Sequence, residues 1–285
     1  MKKLCSLALV FIMALGLCAC AKDESDAPQT TETPAPTQDL AIYEPAEGKL
    51  VKEIAYNANG LCFSTVIYEY DGAGNVVSET TLGVNDAPSG KREFIRAQTG
   101  EVTTMISYVA DGPEEYSEQF RVLYEYNESG LKMKETSMVG DTVKSVTLCA
   151  YEGTKLVGEK YYEGSELINE KSYEYNDDGL VTKCVRRDYV EGGEVVDANT
   201  YDADGRLIKC ESSADGALIS RTEYSYDAHG NEASVSVFDG SGSTLSVTHS
   251  DYEYDEPGNI TKRTDKQPGS EQGTVTEYVW EYVKG

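Results

Sequence analysis

Positive charge is scarce in this sequence: 285 residues carry 25 Lys and Arg against 50 Asp and Glu, a formal net charge of −25. A surface this acidic repels nucleic acid and anionic lipid, so neither is expected as a partner. Histidine is scarcer still, with only His229 and His249, and no Cys-x-x-Cys spacing exists, so no zinc site is expected. No Gly-x-Ser-x-Gly is present, and the one Ser-x-x-Lys, Ser129 to Lys132, falls in a turn rather than at the start of a helix. Acidic pairs such as Glu114-Glu115 or Asp177-Asp178 arise without purpose at this acidic content, so none is singled out as a glycosidase dyad. The expectation is a protein that is not an enzyme and holds no cofactor or metal. Long apolar runs are missing too. The stretch from Leu4 to Leu17 is too short to span a membrane as a permanent helix, and nothing after Cys20 could re-enter a bilayer.

What the N-terminus does have is an order: Lys2-Lys3, the apolar stretch, then Leu17-Cys18-Ala19-Cys20, as in a secretory signal. The four residues ending at Cys20 resemble the lipobox of bacterial lipoproteins. That resemblance implies a signal peptide over residues 1–19 and a lipidated (palmitate-type) Cys20 as the first mature residue, holding the chain to the extracytoplasmic face of the cell membrane. Cleavage there removes Lys2 and Lys3, which takes the formal charge from −25 to −27. Residues 20–47 are rich in Asp, Glu, Thr and Gln and hold half of the eight prolines (Pro28, Pro34, Pro36, Pro45), so they read as a disordered tether. Such a tether reaches at most ~90 Å, with a root-mean-square span of ~30 Å.

Residues 48–285 repeat. Tyr68-Glu69-Tyr70-Asp71-Gly72-Ala73-Gly74-Asn75-Val76 recurs from Tyr124, Tyr173, Tyr201, Tyr224 and Tyr252, with weaker copies at Ala97–Val102 and Tyr151–Leu156. The glycine slot falls at 74, 100, 130, 155, 179, 205, 230 and 258. A period near 25, with a second set of breakers midway (Asn85 to Gly90, Asp111-Gly112-Pro113, Gly140-Asp141, Gly164-Ser165, Gly192-Gly193, Asp215-Gly216, Asp239 to Gly242, Gln267-Pro268-Gly269), divides into two strands and two turns. Asp or Asn closes each turn through its side chain, and glycine supplies the positive φ. The predicted fold is all-β: a long antiparallel meander of about eight repeats forming a twisted, curled sheet or partial spiral shell, with little or no helix.

Tyr-x-Tyr puts two aromatics on one face of a strand. Tyr68, Tyr70, Tyr124, Tyr126, Tyr173, Tyr175, Tyr224, Tyr226, Tyr252, Tyr254, Trp280 and Tyr282 therefore form an aromatic stripe, which is either the buried core of a curled sheet, the reading that avoids an aggregation-prone surface, or the candidate ligand face. Glu69, Glu125, Glu174, Glu253 and Glu281 point to the other, solvated face, within cross-strand range of Lys134, Lys160, Lys183, Lys209 and Lys262.

The motif as it stands at 68–76, 224–231 and 252–260 resembles the YD repeats of Rhs and teneurin-type proteins, over roughly residues 50 to 285. The resemblance implies a spirally wound β-sheet that can close into a shell, serving as scaffold, adhesive surface or container for a toxic C-terminal peptide; some members are linked to carbohydrate binding. Eight or nine repeats are too few for the closed shell expected of the large members. No toxin domain fits after the last repeat, and the Asp-Pro-rich segment tied to self-cleavage is missing.

Cys62, Cys149, Cys184 and Cys210 lie in the repeat domain. Cys184 and Cys210 sit one repeat apart, about 9.5 Å in a simple meander, which exceeds the roughly 7 Å disulfide limit and favours free thiols. Asn176-Asp177-Asp178-Gly179 and Asp202-Ala203-Asp204-Gly205 offer oxygens to calcium, but position 12 counted from Asp202 is Ser213, so no EF-hand is completed and turn chemistry explains the residues. The functional expectation is a non-catalytic, membrane-anchored surface lipoprotein binding a glycan or a protein. The alternative is a structural scaffold or a remnant of an Rhs-type toxin-delivery shell.

Overall fold

The computed structural model describes residues 48–282; the expected signal peptide, Cys20 and the tether lie outside the described residues. Eighteen strands follow one another. The first six are β1 (Gly48–Tyr56), β2 (Cys62–Tyr70), β3 (Val76–Leu82), β4 (Pro88–Arg96), β5 (Val102–Ala110) and β6 (Tyr116–Tyr126). The middle six are β7 (Lys132–Val139), β8 (Thr142–Glu152), β9 (Lys155–Glu163), β10 (Glu166–Tyr175), β11 (Val181–Asp188) and β12 (Glu194–Tyr201). The last are β13 (Leu207–Ala214), β14 (Ala217–Tyr226), β15 (Glu232–Asp239), β16 (Thr244–Tyr254), β17 (Ile260–Lys266) and β18 (Thr274–Tyr282). A single 3-10 turn, Val84–Asp86, is the one helical element among the described residues.

Each strand pairs antiparallel with its neighbours in sequence, as the alternation of turns requires. The turns after β2 show why. Asp71 Oδ1 accepts the backbone N–H groups of Ala73 and Asn75, both at 2.9 Å, Gly74 N–H bonds the Asp71 carbonyl at 3.1 Å, and Gly74 takes φ +87°. Its left-handed conformation is open to glycine and costly to a side chain. The same closure is built on Asp202 and Asp227, and on Asn127.

The open curl or partial spiral expected from the sequence is not what forms. β1 pairs with β18 from Gly48↔Tyr282 to Tyr56↔Val275, so the eighteen strands close into a barrel. Closure removes two edges of unpaired N–H and C=O groups. The hairpins number nine, the upper end of the eight or nine repeats expected: Asn57 Oδ1 accepts the amides of Asn59 and Leu61, and Gly60 takes φ +74°, so 57–61 is a turn of the same kind and β1 belongs to a ninth hairpin.

Register carries one face all the way round. Tyr68 stands opposite Glu79, Glu79 opposite Arg92, Tyr124 opposite Glu135, Tyr173 opposite Cys184, Tyr252 opposite Arg263, and Tyr278 opposite Glu53, which returns to β2 beside Tyr68. A wall of eighteen strands at ~4.8 Å spacing and ~40° tilt measures roughly 110 Å around. It does not collapse onto itself: among the described residues only Val122, Cys149, Thr65, Ser78, Thr136, Ser250 and Asn259 are buried, and whole strands such as β13 and β15 are half-buried on both faces. A face-to-face sandwich would bury one entire face. The barrel is therefore a single-layer wall wetted on both sides, as wide barrels are.

Candidate functional site

The tyrosine face lines the lumen. Burial is the leading cause that pushes up the pKa of Tyr68, Tyr124, Tyr173, Tyr224 and Tyr278, and of the Cys149, Cys184 and Cys210 thiols on the same face. On the opposite face the Glu125, Glu174 and Glu253 side chains are 61–65 % exposed, and each bonds the expected lysine, Lys134, Lys183 and Lys262, at 2.7 Å. Lys209 pairs instead with Glu211 at 2.8 Å, and Lys160 approaches Glu170 at 4.0 Å.

The stripe splits into two levels. At the rim where the Tyr-Asp turns lie, the side chain near the end of each even-numbered strand donates to a carbonyl at the start of the preceding odd-numbered strand. Tyr70 bonds the Leu50 oxygen at 2.6 Å, Tyr126 the Val102 oxygen at 2.8 Å, Tyr175 the Leu156 oxygen at 2.6 Å and Tyr226 the Leu207 oxygen at 2.7 Å. Tyr151 and Tyr201, which the stripe omitted, do the same to Lys132 and Val181. Arg96 fills the slot on β4, its Nη2 reaching the Val76 oxygen at 3.4 Å. On β16 and β18 the bond moves back two residues, to Tyr252 with Glu232 and to the Trp280 indole with Ile260. Tyr254 and Tyr282 then donate to Asp227 and Asp255 of the preceding turns. These side chains hold the wall together. The signal for Tyr151, Tyr201 and Arg96 was available, since each directly precedes its turn; only the residue type of Arg96 departs from the motif.

Deeper in the lumen, Tyr68, Tyr124 and Tyr173 sit beside paired charges, with Tyr278, Glu53 and Arg263, which the sequence reading passed over. Arg92 meets Glu79 at 3.2 Å, Lys132 meets Glu135 at 3.0 Å, Lys171 meets Glu159 at 3.6 Å, Arg186 meets Asp197 at 3.1 Å and Arg263 meets Asp265 at 2.8 Å. Hydroxyls complete the carboxylates: Tyr173 donates to Glu159 at 2.5 Å, Ser212 to Asp197 and Ser250 to Asp265, both at 2.6 Å. Glu53 lies close enough to Tyr68 that, after burial, its carboxylate pushes the Tyr68 phenol further up. Charge on this belt is nearly balanced, so the chain's acid excess lies elsewhere.

The four cysteines carry free thiols. Of the oxygens weighed for calcium, Asp202 and Asp204 each bond Arg206 at 2.8 Å within the turn, and Asn176 Oδ1 accepts the Leu180 N–H at 2.9 Å.

No protein-family model matches the chain, and no curated protein is similar to it. Among solved structures, the chain is similar to a porin-like protein from Bacteroides uniformis (12 % identity, 81 % of this chain and 98 % of that one, TM-score 0.44) and to one from Bacteroides vulgatus (10 %, 83 % and 100 %, TM-score 0.42). It is also similar to the Photorhabdus luminescens Tc holotoxin pore with TccC3 (15 %, 80 % and 15 %, TM-score 0.36). The chain spans 16 % of the length of the TcdB2-TccC3 chain it matches in the complex with Cdc42.

Proposed function

We propose that the chain is a lipoprotein anchored through Cys20 to the extracytoplasmic face of the membrane, whose non-catalytic barrel binds a glycan or a protein at the cell surface. The observation that carries this reading is the wall itself. Its tyrosine face is not sealed in a core, and its outer face bears ion pairs (Lys134–Glu125, Lys183–Glu174, Lys262–Glu253) where a lipid-facing band would be apolar. Charge on a lipid-facing strand costs ~2–4 kcal/mol per Lys or Arg at the midplane. A barrel of this kind stands in water and needs an anchor to stay at a membrane, which a diacylated Cys20 supplies. Gly48 opens β1 at the rim of the Tyr-Asp turns.

A scaffold reading draws on the rim. Tyr70, Tyr126, Tyr175 and Tyr226 spend their hydroxyls on the wall's own carbonyls. They are structural even where their rings are half-exposed.

The test is metabolic labelling of expressing cells with an alkyne fatty acid, followed by fractionation and surface proteolysis. Labelled protein in the membrane fraction, degraded by protease on intact cells and lost to the medium in Cys20→Ala, is the expected result. An unlabelled chain, or one shielded from protease, contradicts the reading.

A further inference from the structure

We propose that Glu53 and the rings of Tyr68 and Tyr278 form a lumenal binding site for an organic ammonium ion, on the wall where β18, β1 and β2 meet. The site is additional to the binding role above and does not depend on the lipid anchor. Glu53 is set apart by what the other carboxylates of the belt have. Glu79, Glu135, Glu159, Asp197 and Asp265 each hold a Lys or Arg nitrogen at 2.8–3.6 Å. Glu53 has no such partner among the described residues. Lys52, beside it in the chain, stands opposite Val279 on the outer face, and the cations that flank it along the wall, Arg263 and Arg92, are held by Asp265 and Glu79.

The surroundings of Glu53 are rings and hydrocarbon. Tyr278 stands directly opposite it on β18 and Val66 directly opposite it on β2, with Tyr68 two residues further along that strand. Directly opposed side chains have Cβ atoms ~5 Å apart and diagonal ones ~7–8 Å, within reach of an aromatic ring. The carboxylate acts on these phenols: after burial, Glu53 is the next cause that pushes Tyr68, Tyr278 and Tyr70 up. Glu53, Val66, Tyr68 and Tyr278 are all half-buried, so a guest in the lumen reaches them.

This chemistry selects one class of guest. An anion is repelled by Glu53 and by the acidic chain as a whole. Calcium asks for about six to eight oxygens, and no group of three or more His, Cys, Asp or Glu converges on a metal position among the described residues. An ammonium group asks for a carboxylate to neutralise it and for ring faces to take the place of its water, and the alkyl part then lies against Val66. A free amine and the lysine side chain of a partner protein present the same group.

The experiment is a ligand-observed NMR titration of the full chain with cadaverine, tetramethylammonium and Nα-acetyl-lysine amide, with tert-butanol as an uncharged comparison and with calcium. Glu53→Gln removes the carboxylate and Tyr278→Ala a ring. Glu125→Gln removes the same charge from the outer face as a control, circular dichroism checks that each variant folds, and Tyr68→Ala repeats the test should either lumenal variant misfold. At least one amine should bind, about tenfold more weakly in Glu53→Gln and several-fold more weakly in Tyr278→Ala. Glu125→Gln should bind as the unmodified chain does, and tert-butanol should not bind. Tighter binding of the lysine amide than of cadaverine assigns the group to a partner's side chain, and the reverse order assigns it to a free amine. Equal losses in Glu53→Gln and Glu125→Gln would leave only the diffuse attraction of an acidic chain and would overturn the site. So would amines that do not bind, or calcium binding that is lost in Glu53→Gln while the amines stay silent. None of these results decides the glycan- or protein-binding role, which adhesion to cell surfaces tests separately.

Discussion

The Tyr70 hydroxyl donates to the Leu50 carbonyl oxygen at 2.6 Å, tying the end of β2 to the start of β1 beside the closure seam. Repetition of that bond around the rim makes it testable one link at a time. Tyr70→Phe, Tyr175→Phe or Tyr226→Phe keeps the ring and deletes the donor, and each should lower stability by about 1 kcal/mol, the net worth of a typical hydrogen bond. Urea midpoints measure this. Tyr189→Phe, at an exposed position, should cost less.

The turn glycines separate conformation from space. A Cβ meets nothing within 4 Å at either Gly179 or Gly72, yet Gly179 has φ +80° while Gly72 lies outside the left-handed region. Gly179→Ala should therefore destabilise by ~1–2 kcal/mol, and Gly72→Ala should be neutral or slightly stabilising. Equal effects would mean that the turn relaxes into another type.

High pH should loosen the rim. Burial and then the Asp227 carboxylate push the Tyr254 phenol up to about 12, whereas an unfolded tyrosine titrates near 10. The folded state thus holds this proton more tightly, so the contribution is complete below pH ~10 and is lost as pH rises toward 12. Unfolding midpoints measured across that window should fall more steeply in the unmodified protein than in Tyr254→Phe. Identical slopes would mean that the Tyr254–Asp227 bond is broken in solution.

Removing β18 should be far more damaging than removing a surface hairpin usually is. Deletion of residues 274–285 leaves β1 and β17 each with an open edge, and long open edges promote association. Light scattering of the truncated chain should show aggregation at concentrations where the full chain stays dispersed.

Strands, turns and the division of faces were legible because each depends on a few neighbouring residues. Asp71 to Gly74 announces its own turn, and Tyr68-Glu69-Tyr70 its own alternation, so the Lys134–Glu125, Lys183–Glu174 and Lys262–Glu253 pairs followed from period two alone. Closure was not legible, because it rests on the register of Gly48 with Tyr282, at opposite ends of the repeat domain. The copy at Tyr56-Asn57-Ala58-Asn59-Gly60 sits only 14 residues before the Gly74 slot, on the opposite rim, and so fell outside a search at period 25. The state of the stripe depended on closure in turn. An open sheet would have had to bury or expose its tyrosines, whereas a wide closed wall leaves them half-covered and facing water.

Amide hydrogen exchange on β1 and β18 tests closure most directly. In the barrel, alternate amides of β1 bond to β2 on one side and to β18 on the other, so both sets should be protected as well as those of β12 and β13. Fast exchange of every second amide in β1 and β18, with the interior strands protected, is the pattern of an open sheet and would contradict the barrel.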